Sequence, residues 1–155
     1  AIQGYKLWQS ITTNESPALA WKRTVFQLPT RKKHKDFMKV GGVEYGILDK
    51  GLDVMLVAVF PTESQTLSVR LGDLQIVGVP GEMISELGLE VKKQVAASTG
   101  AKYVVIGGLA DEWVSYILSE KEYQKGGYES TISFYGETLG ATVVDAVTKN
   151  ASSVK

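Results

Sequence analysis

A short run, Leu74 to Val79, apolar except at Gln75, ends at Pro80-Gly81 and hands the chain directly to Glu82. The run reads as a buried strand, because it is short, apolar and stopped by two breakers. A helical pattern follows at once. Ile84, Leu87, Val91 and Val95 recur at helical spacing up to Ser98, and Gly100 reads as the stop. A carboxylate is thereby delivered at a strand end, where α/β proteins place their sites.

The neighbouring stretches extend this unit into a sheet. Thr66 to Leu71 alternates, with Leu67, Val69 and Leu71 on one face, and Gly72-Asp73 is a tight-turn signal. The two strands therefore predict a hairpin. Lys102 to Gly107 reads as a further buried strand. Strand, helix and strand from Leu74 to Gly107 make a parallel crossover, so the sheet is mixed. The fold class is α/β, a mixed β-sheet with flanking helices.

The remaining segments are weaker. Ile2, Tyr5, Leu7 and Trp8 sit on one face of a short helix or belong to an irregular lead-in, and Thr12 to Pro17 reads as a polar loop. Val25 to Leu28 reads as a short strand ended by Pro29. Gly41-Gly42 reads as a turn, Val43 to Leu48 as a strand and Asp49-Lys50-Gly51 as a turn. Leu52 to Phe60, apolar throughout except at Asp53, predicts a strand buried on both faces. Gly108 to Tyr128 is irregular, with Gly126-Gly127 as a hinge or turn. Leu139, Val143 and Val147 mark a last helix, and Asn150 to Lys155 reads as a frayed polar tail.

Composition excludes several chemistries. The chain of 155 residues has no cysteine, so disulfides, thiolate metal sites and cysteine nucleophiles are absent. Its one histidine, His34, excludes a histidine-rich zinc site or a Ser-His-Asp triad built from this sequence alone. No apolar run approaches the roughly 20 residues of a membrane-spanning helix. The first residue is Ala1, and no signal-peptide pattern follows it. A formal net charge of zero hides an asymmetry. Residues 1–40 hold eight Lys/Arg against two Asp/Glu, and residues 41–155 hold nine against fifteen. The basic part peaks at Arg31-Lys32-Lys33-His34-Lys35. It is short and has no interleaved aromatics, so it reads as a solvated loop with a surface histidine rather than a nucleic-acid surface. Gly107-Gly108-Leu109-Ala110 lacks the lysine-serine and the glycine spacing of phosphate loops. Trp8, Trp21 and Trp113 are irregularly spaced and read as core or interface anchors.

If the two strands around the crossover are parallel, Glu82 and the loop after Gly107 meet at one sheet edge. Asp111, Glu112, Ser115 and Tyr116 then approach Glu82. Carboxylates and a phenol gathered there can bind a cation or move protons. On composition alone the signal is weak, since acidic loop residues are usually solvated and a loop tyrosine usually packs.

Three motifs sharpen the reading. Val79-Pro80-Gly81-Glu82 with Glu86-Leu87-Gly88, the run Gly108 to Ile117, and Glu120 to Glu129 with Gly126-Gly127-Tyr128-Glu129 resemble, in order and spacing, segments of the neutral/alkaline non-lysosomal ceramidase family. The resemblance implies zinc-dependent hydrolysis of the amide of N-acylsphingosines. It implies that Glu82 and Tyr116 are zinc ligands and that Asp111, Ser115 and Gly81 stand near the ligands or the substrate; phenolate is a rarer ligand, and the alternative catalytic role for Tyr116 is hydrogen-bond donor to the oxyanion. It further implies that this chain, either one domain over 1–155 or the C-terminal half of a larger catalytic domain, needs two histidine ligands from an upstream segment or a companion chain. The implied substrate is a lipid amide. No nucleic acid and no transmembrane segment are expected, and secreted, periplasmic and membrane-associated settings all fit. Three positions depart from the family pattern: Asp111 stands for asparagine, Ser115 for glycine or histidine, and Leu118 for proline. A non-catalytic binding or structural domain on the same fold is the alternative.

Overall fold

The computed structural model describes residues 2–47, 51–110 and 112–154, without the side chains of residues 51–53. The hairpin and crossover form as the sequence predicts, but the strand expected to be buried at Lys102 to Gly107 has no buried residue from Tyr103 to Gly108. Strands β1 (Leu19–Gln27), β2 (Glu63–Leu71), β3 (Leu74–Val79) and β5 (Tyr103–Gly108) make one sheet in the order β1-β2-β3-β5. β1 pairs antiparallel with β2, β2 antiparallel with β3, and β3 parallel with β5. The crossover helix α4 (Ser85–Thr99) buries Leu87, Val91 and Val95, one stripe at four-residue spacing. Gly100 ends it at φ 68°, returning its N–H to the carbonyl of Ala96. The last helix, α7 (Leu139–Ser152), lies beside α4 on the same side of the sheet and buries Leu139, Val143 and Val147. Each fully buried valine there contributes roughly 1.5–3 kcal/mol.

Several expectations are corrected. Leu52 to Phe60 is helical: α3 spans Gly51–Val59. An apolar run without clear periodicity does not distinguish strand from buried helix. Here Leu56 and Phe60, four residues apart, enter the core while Val54, Val57 and Val59 stay exposed. Val43 to Leu48 is likewise no strand. Gly41–Glu44 is the short helix α2, Tyr45 to Ile47 follow it, and Leu48 to Lys50 lie outside the described residues. The strand expected at Val25 to Leu28 is the end of the longer β1. Ile2–Gln9 form helix α1, all of it exposed. Gly108 to Tyr128 holds short regular pieces: β6 (Tyr116–Ile117), α5 (Glu120–Lys125) and the start of α6 (Tyr128–Thr131). The tail is ordered to Val154. Asn150, Ala151 and Val154 are buried.

Asn150 explains that order. Its Nδ2 donates to the carbonyl of Lys22 at 3.0 Å, and its Oδ1 accepts from Thr24 Oγ1 at 2.6 Å. Beside it, Gln75 Nε2 donates to the carbonyl of Ala151 at 2.7 Å and to Ser68 Oγ at 3.1 Å. The helix-covered face of β2 is thus polar, with Ser64, Thr66 and Ser68 buried and satisfied. Leu67, Val69 and Leu71 do share a face, but it is the opposite one. The registers align Trp21, Val69, Ile76 and Val105 across that face, and Leu19, Leu71, Leu74 and Tyr103 in the next row. Leu19, Trp21, Leu71, Ile76, Tyr103 and Val105 are exposed.

Candidate functional site

Beyond the ends of β3 and β5 a second, two-stranded sheet carries the site. Strand β4 (Glu82–Met83) runs parallel to β6, with Glu82 opposite Tyr116 and Met83 opposite Ile117. Parallel neighbours about 5 Å apart present their side chains to the same side. The pair is held by its backbone. Glu82 N–H donates to the Ser115 carbonyl and Ile84 N–H to the Ile117 carbonyl, each at 3.1 Å, and Val114 N–H donates to the Pro80 carbonyl at 2.7 Å. The Pro80-Gly81 break therefore serves to turn the chain from β3 into a new pairing.

Gly81 is required for the approach. A Cβ there would lie 2.5 Å from the Ser115 carbonyl oxygen and 2.9 Å from Ile117 Cδ1. Ser115 is fully buried at φ 86°, a conformation that glycine adopts most easily, and its hydroxyl has no partner. The serine thus occupies a position whose backbone suits the glycine common in the resembled motif.

Around the pair stand further aromatic and acidic groups. The Tyr128 ring meets the Tyr116 ring edge-on, with centroids 5.9 Å apart. The Tyr128 and Tyr45 hydroxyls share a hydrogen bond of 2.6 Å. Burial, followed by the charges of Glu82 and Glu129, pushes the Tyr116 phenol above its ordinary range. The hydrogen bond to Tyr45 pushes Tyr128 up further still. Glu82 and Glu129 thus both act on the Tyr116 phenol, with Tyr128 and Tyr45 beside it.

The structure brings Glu82 and Tyr116 together and seats Gly81 and Ser115 beneath them. Asp111 lies outside the described residues. Glu112 turns away, accepting from Ser64 Oγ at 2.5 Å. His34 is not a surface residue: it is 3% exposed, packed against Tyr123. Trp8, Trp21 and Trp113 are exposed, which leaves the interface reading and removes the core one. Tyr45 escaped the sequence reading, because it falls in a segment read as a strand and belongs to no motif. Tyr128 and Glu129 had a signal in the Gly126-to-Glu129 motif. Among the described residues no three His, Cys, Asp or Glu side chains gather to hold a metal. Glu82 and Tyr116 alone do not amount to a zinc site, which takes three or four protein ligands.

Residues 4–144 match the family described as neutral/alkaline non-lysosomal ceramidase, N-terminal. The chain belongs to this family. The neutral ceramidase of Pseudomonas aeruginosa is 30% identical over 79 residues, 49% of this chain and 12% of that protein. The neutral ceramidase of Drosophila melanogaster is 32% identical over 98 residues, 57% of this chain and 14% of that protein. The fold is also that of solved ceramidases. The crystal structure of the Pseudomonas aeruginosa neutral ceramidase superposes with a TM-score of 0.67 at 19% identity, over 87% of this chain and 28% of that one. A ceramidase complexed with C2 superposes at 0.57 with 27% identity, over 60% and 15%. The ceramidase-family chain described here thus spans only a small part of each relative's length.

Proposed function

We propose that this chain supplies the carboxylate-and-phenol side of a zinc-dependent amide hydrolase acting on N-acylsphingosine or a similar N-acyl amide. The observation that carries the reading is the pairing of Glu82 with Tyr116 across β4 and β6. It places the two residues that the family resemblance marks as ligands side by side. Zinc, when bound, supplies Lewis-acid polarisation of the amide carbonyl. Glu82 offers a carboxylate oxygen, and Tyr116 offers its phenol as ligand or as hydrogen-bond donor to the developing oxyanion. Tyr128, against Tyr116 and tied to Tyr45, fixes the phenol's orientation. The ligand set is completed by histidines from a segment upstream of this one or from a companion chain, with the 155 residues acting as the C-terminal half of a catalytic domain. Asp111, Ser115 and Gly81 shape the surroundings of the ligands.

The test is zinc content. Glu82→Ala in the full-length protein is expected to abolish zinc retention and chelator-sensitive hydrolysis of N-acyl lipids, while Glu112→Ala retains both. Undiminished zinc in Glu82→Ala would remove the reading.

One observation favours a second reading, a non-catalytic domain of the same fold. The histidine of this chain is committed elsewhere, accepting the Asp36 N–H at 3.1 Å. That reading expects no metal-dependent turnover by the full-length protein on N-acyl lipids or N-acyl amino acids.

A further inference from the structure

Tyr45 belongs to none of the three motifs, yet one side chain alone separates it from the Glu82–Tyr116 pair. Its backbone is fixed by the way α2 ends. Gly46 stands at φ 65° with its N–H on the Val43 carbonyl at 3.2 Å, and the Ile47 N–H returns to the Gly42 carbonyl at 2.8 Å. This is a left-handed helix stop, and Tyr45 is the residue it holds. The helix lies flush against its neighbours because Gly41 and Gly42 are buried and have no side chain. A Cβ at Gly41 would stand 2.9 Å from Thr131 Oγ1 in α6, and one at Gly42 would stand 2.9 Å from the Phe37 carbonyl oxygen.

The partner on α6 is fixed in turn. Ser130 is 2% exposed, and its hydroxyl donates between the carbonyls of Glu122 at 3.1 Å and Gly126 at 3.0 Å. Thr131 Oγ1 donates to the Tyr128 carbonyl at 2.8 Å. The backbone of Tyr128 is therefore held, and its side chain keeps only its own torsions. The ring meets Tyr116 edge-on, and the hydroxyl lies 2.6 Å from that of Tyr45. One neighbour thus takes the ring and the other takes the hydroxyl. Tyr45 is 57% exposed, and a hydrogen bond between two hydroxyls within reach of water adds little to stability. Two buried glycines and a closed turn deliver an exposed phenol to the residue that packs against Tyr116, and stability alone gives that placement no reason.

We infer that Tyr45 is a positioning residue of the Glu82–Tyr116 site: its hydroxyl pins Tyr128, and Tyr128 sets the angle of the Tyr116 phenol. For turnover the inference rests on the amide-hydrolase reading. For the orientation of Tyr116 it rests on the geometry of the three rings alone. Misplacing a reacting group by about 1 Å costs up to about a hundredfold in rate, so loss of the pin acts on kcat.

The test uses the full-length protein with 3-fluorotyrosine incorporated at position 116, whose single fluorine resonance reports the surroundings of that ring in chelator-treated, metal-free protein. Tyr45→Phe deletes the hydroxyl and keeps the ring. Tyr45→Phe and Tyr128→Phe are each expected to shift or split the resonance, while Tyr5→Phe, on the exposed α1, leaves it in place. The melting temperature of Tyr45→Phe stays near that of wild type. In zinc-loaded protein without the fluorine label, Tyr45→Phe lowers kcat on an N-acyl lipid about tenfold with KM unchanged. Adding Tyr45→Phe to Tyr128→Phe lowers it no further, because both delete the same bond. A resonance that Tyr45→Phe leaves unmoved overturns the inference whatever the rates, and so does a moved resonance with unchanged kcat. A moved resonance in a protein that hydrolyses no amide keeps Tyr45 as the pin of Tyr116 and removes the hydrolase reading instead.

Discussion

At the scale of single residues the site depends on two backbone positions. Gly81 has no room for a methyl group, since the Ser115 carbonyl would stand 2.5 Å from it. Gly81→Ala is expected to cost roughly 1–3 kcal/mol and to loosen the Glu82–Tyr116 pairing, read by denaturant unfolding and by zinc affinity of the full-length protein. Ser115→Gly should act the other way. It relieves the positive φ and deletes an unpartnered hydroxyl, and a gain of about 1 kcal/mol is expected by the same unfolding measurement. Ionisation adds a pH dependence. Burial pushes the Tyr135 phenol up to about 12 from its ordinary 10.0, and Tyr116, Tyr123 and Tyr128 are also raised. A phenol that stays protonated in the fold while ionising in the unfolded chain stabilises the fold fully below pH 10. That stability is lost as pH rises toward 12. Unfolding free energy measured between pH 9 and pH 12 should fall steadily, and Tyr135→Phe should fall less steeply than wild type.

At the scale of elements, short helices near the site depend on their caps and long ones on buried polar ties. Ser119 begins α5 and accepts the Glu122 N–H, with Glu122 three residues on as in a capping box. Ser119→Ala should cost about 1 kcal/mol. Asn150 joins α7 to β1 and β2 through Thr24, Lys22 and Thr66. Asn150→Ala strands those buried groups at about 1–3 kcal/mol apiece, and a large loss of melting temperature is expected. Helix α7 also approaches the chain before α5 so closely that a Cβ at Gly140 would overlap the Leu118 carbonyl. The C-terminal segment is therefore part of the core.

At the scale of the whole molecule, one sheet face is covered by α4 and α7 and the other is open and apolar. Trp21, on the edge strand β1, is 67% exposed at one end of the row that continues through Val69, Ile76 and Val105. An apolar patch of this extent marks a contact surface. A sheet face left to water is ordinarily polar, so an apolar open face fits the reading of this chain as part of a larger domain. The isolated 155-residue chain is expected to self-associate by light scattering. Trp21→Lys with Val105→Lys should suppress that association without lowering the melting temperature. In a full-length protein that covers the face, the same pair should destabilise.

The sequence determined the hairpin, the crossover and the stripe of α4, because each is written in local periodicity and closed by its own breakers: Gly72, Pro80 and Gly100. It also brought Glu82 and Tyr116 to one edge, since a parallel crossover returns both chain ends there. Only the tertiary structure decided the rest. Whether Leu52 to Phe60 is helix or strand depended on how Phe60 packs against Phe134 and Tyr135, not on the segment's own pattern. Whether Leu67 or Thr66 faces inward depended on Gln75 and Asn150 lying across from β2, and hydrogen bonding satisfied a buried polar face that no hydropathy pattern predicts. His34 and Tyr45 gained their surroundings from residues about 90 and 80 positions away along the chain, Tyr123 and Tyr128. Contacts at that separation leave no mark on either neighbourhood of the sequence, because only packing in three dimensions brings the partners together.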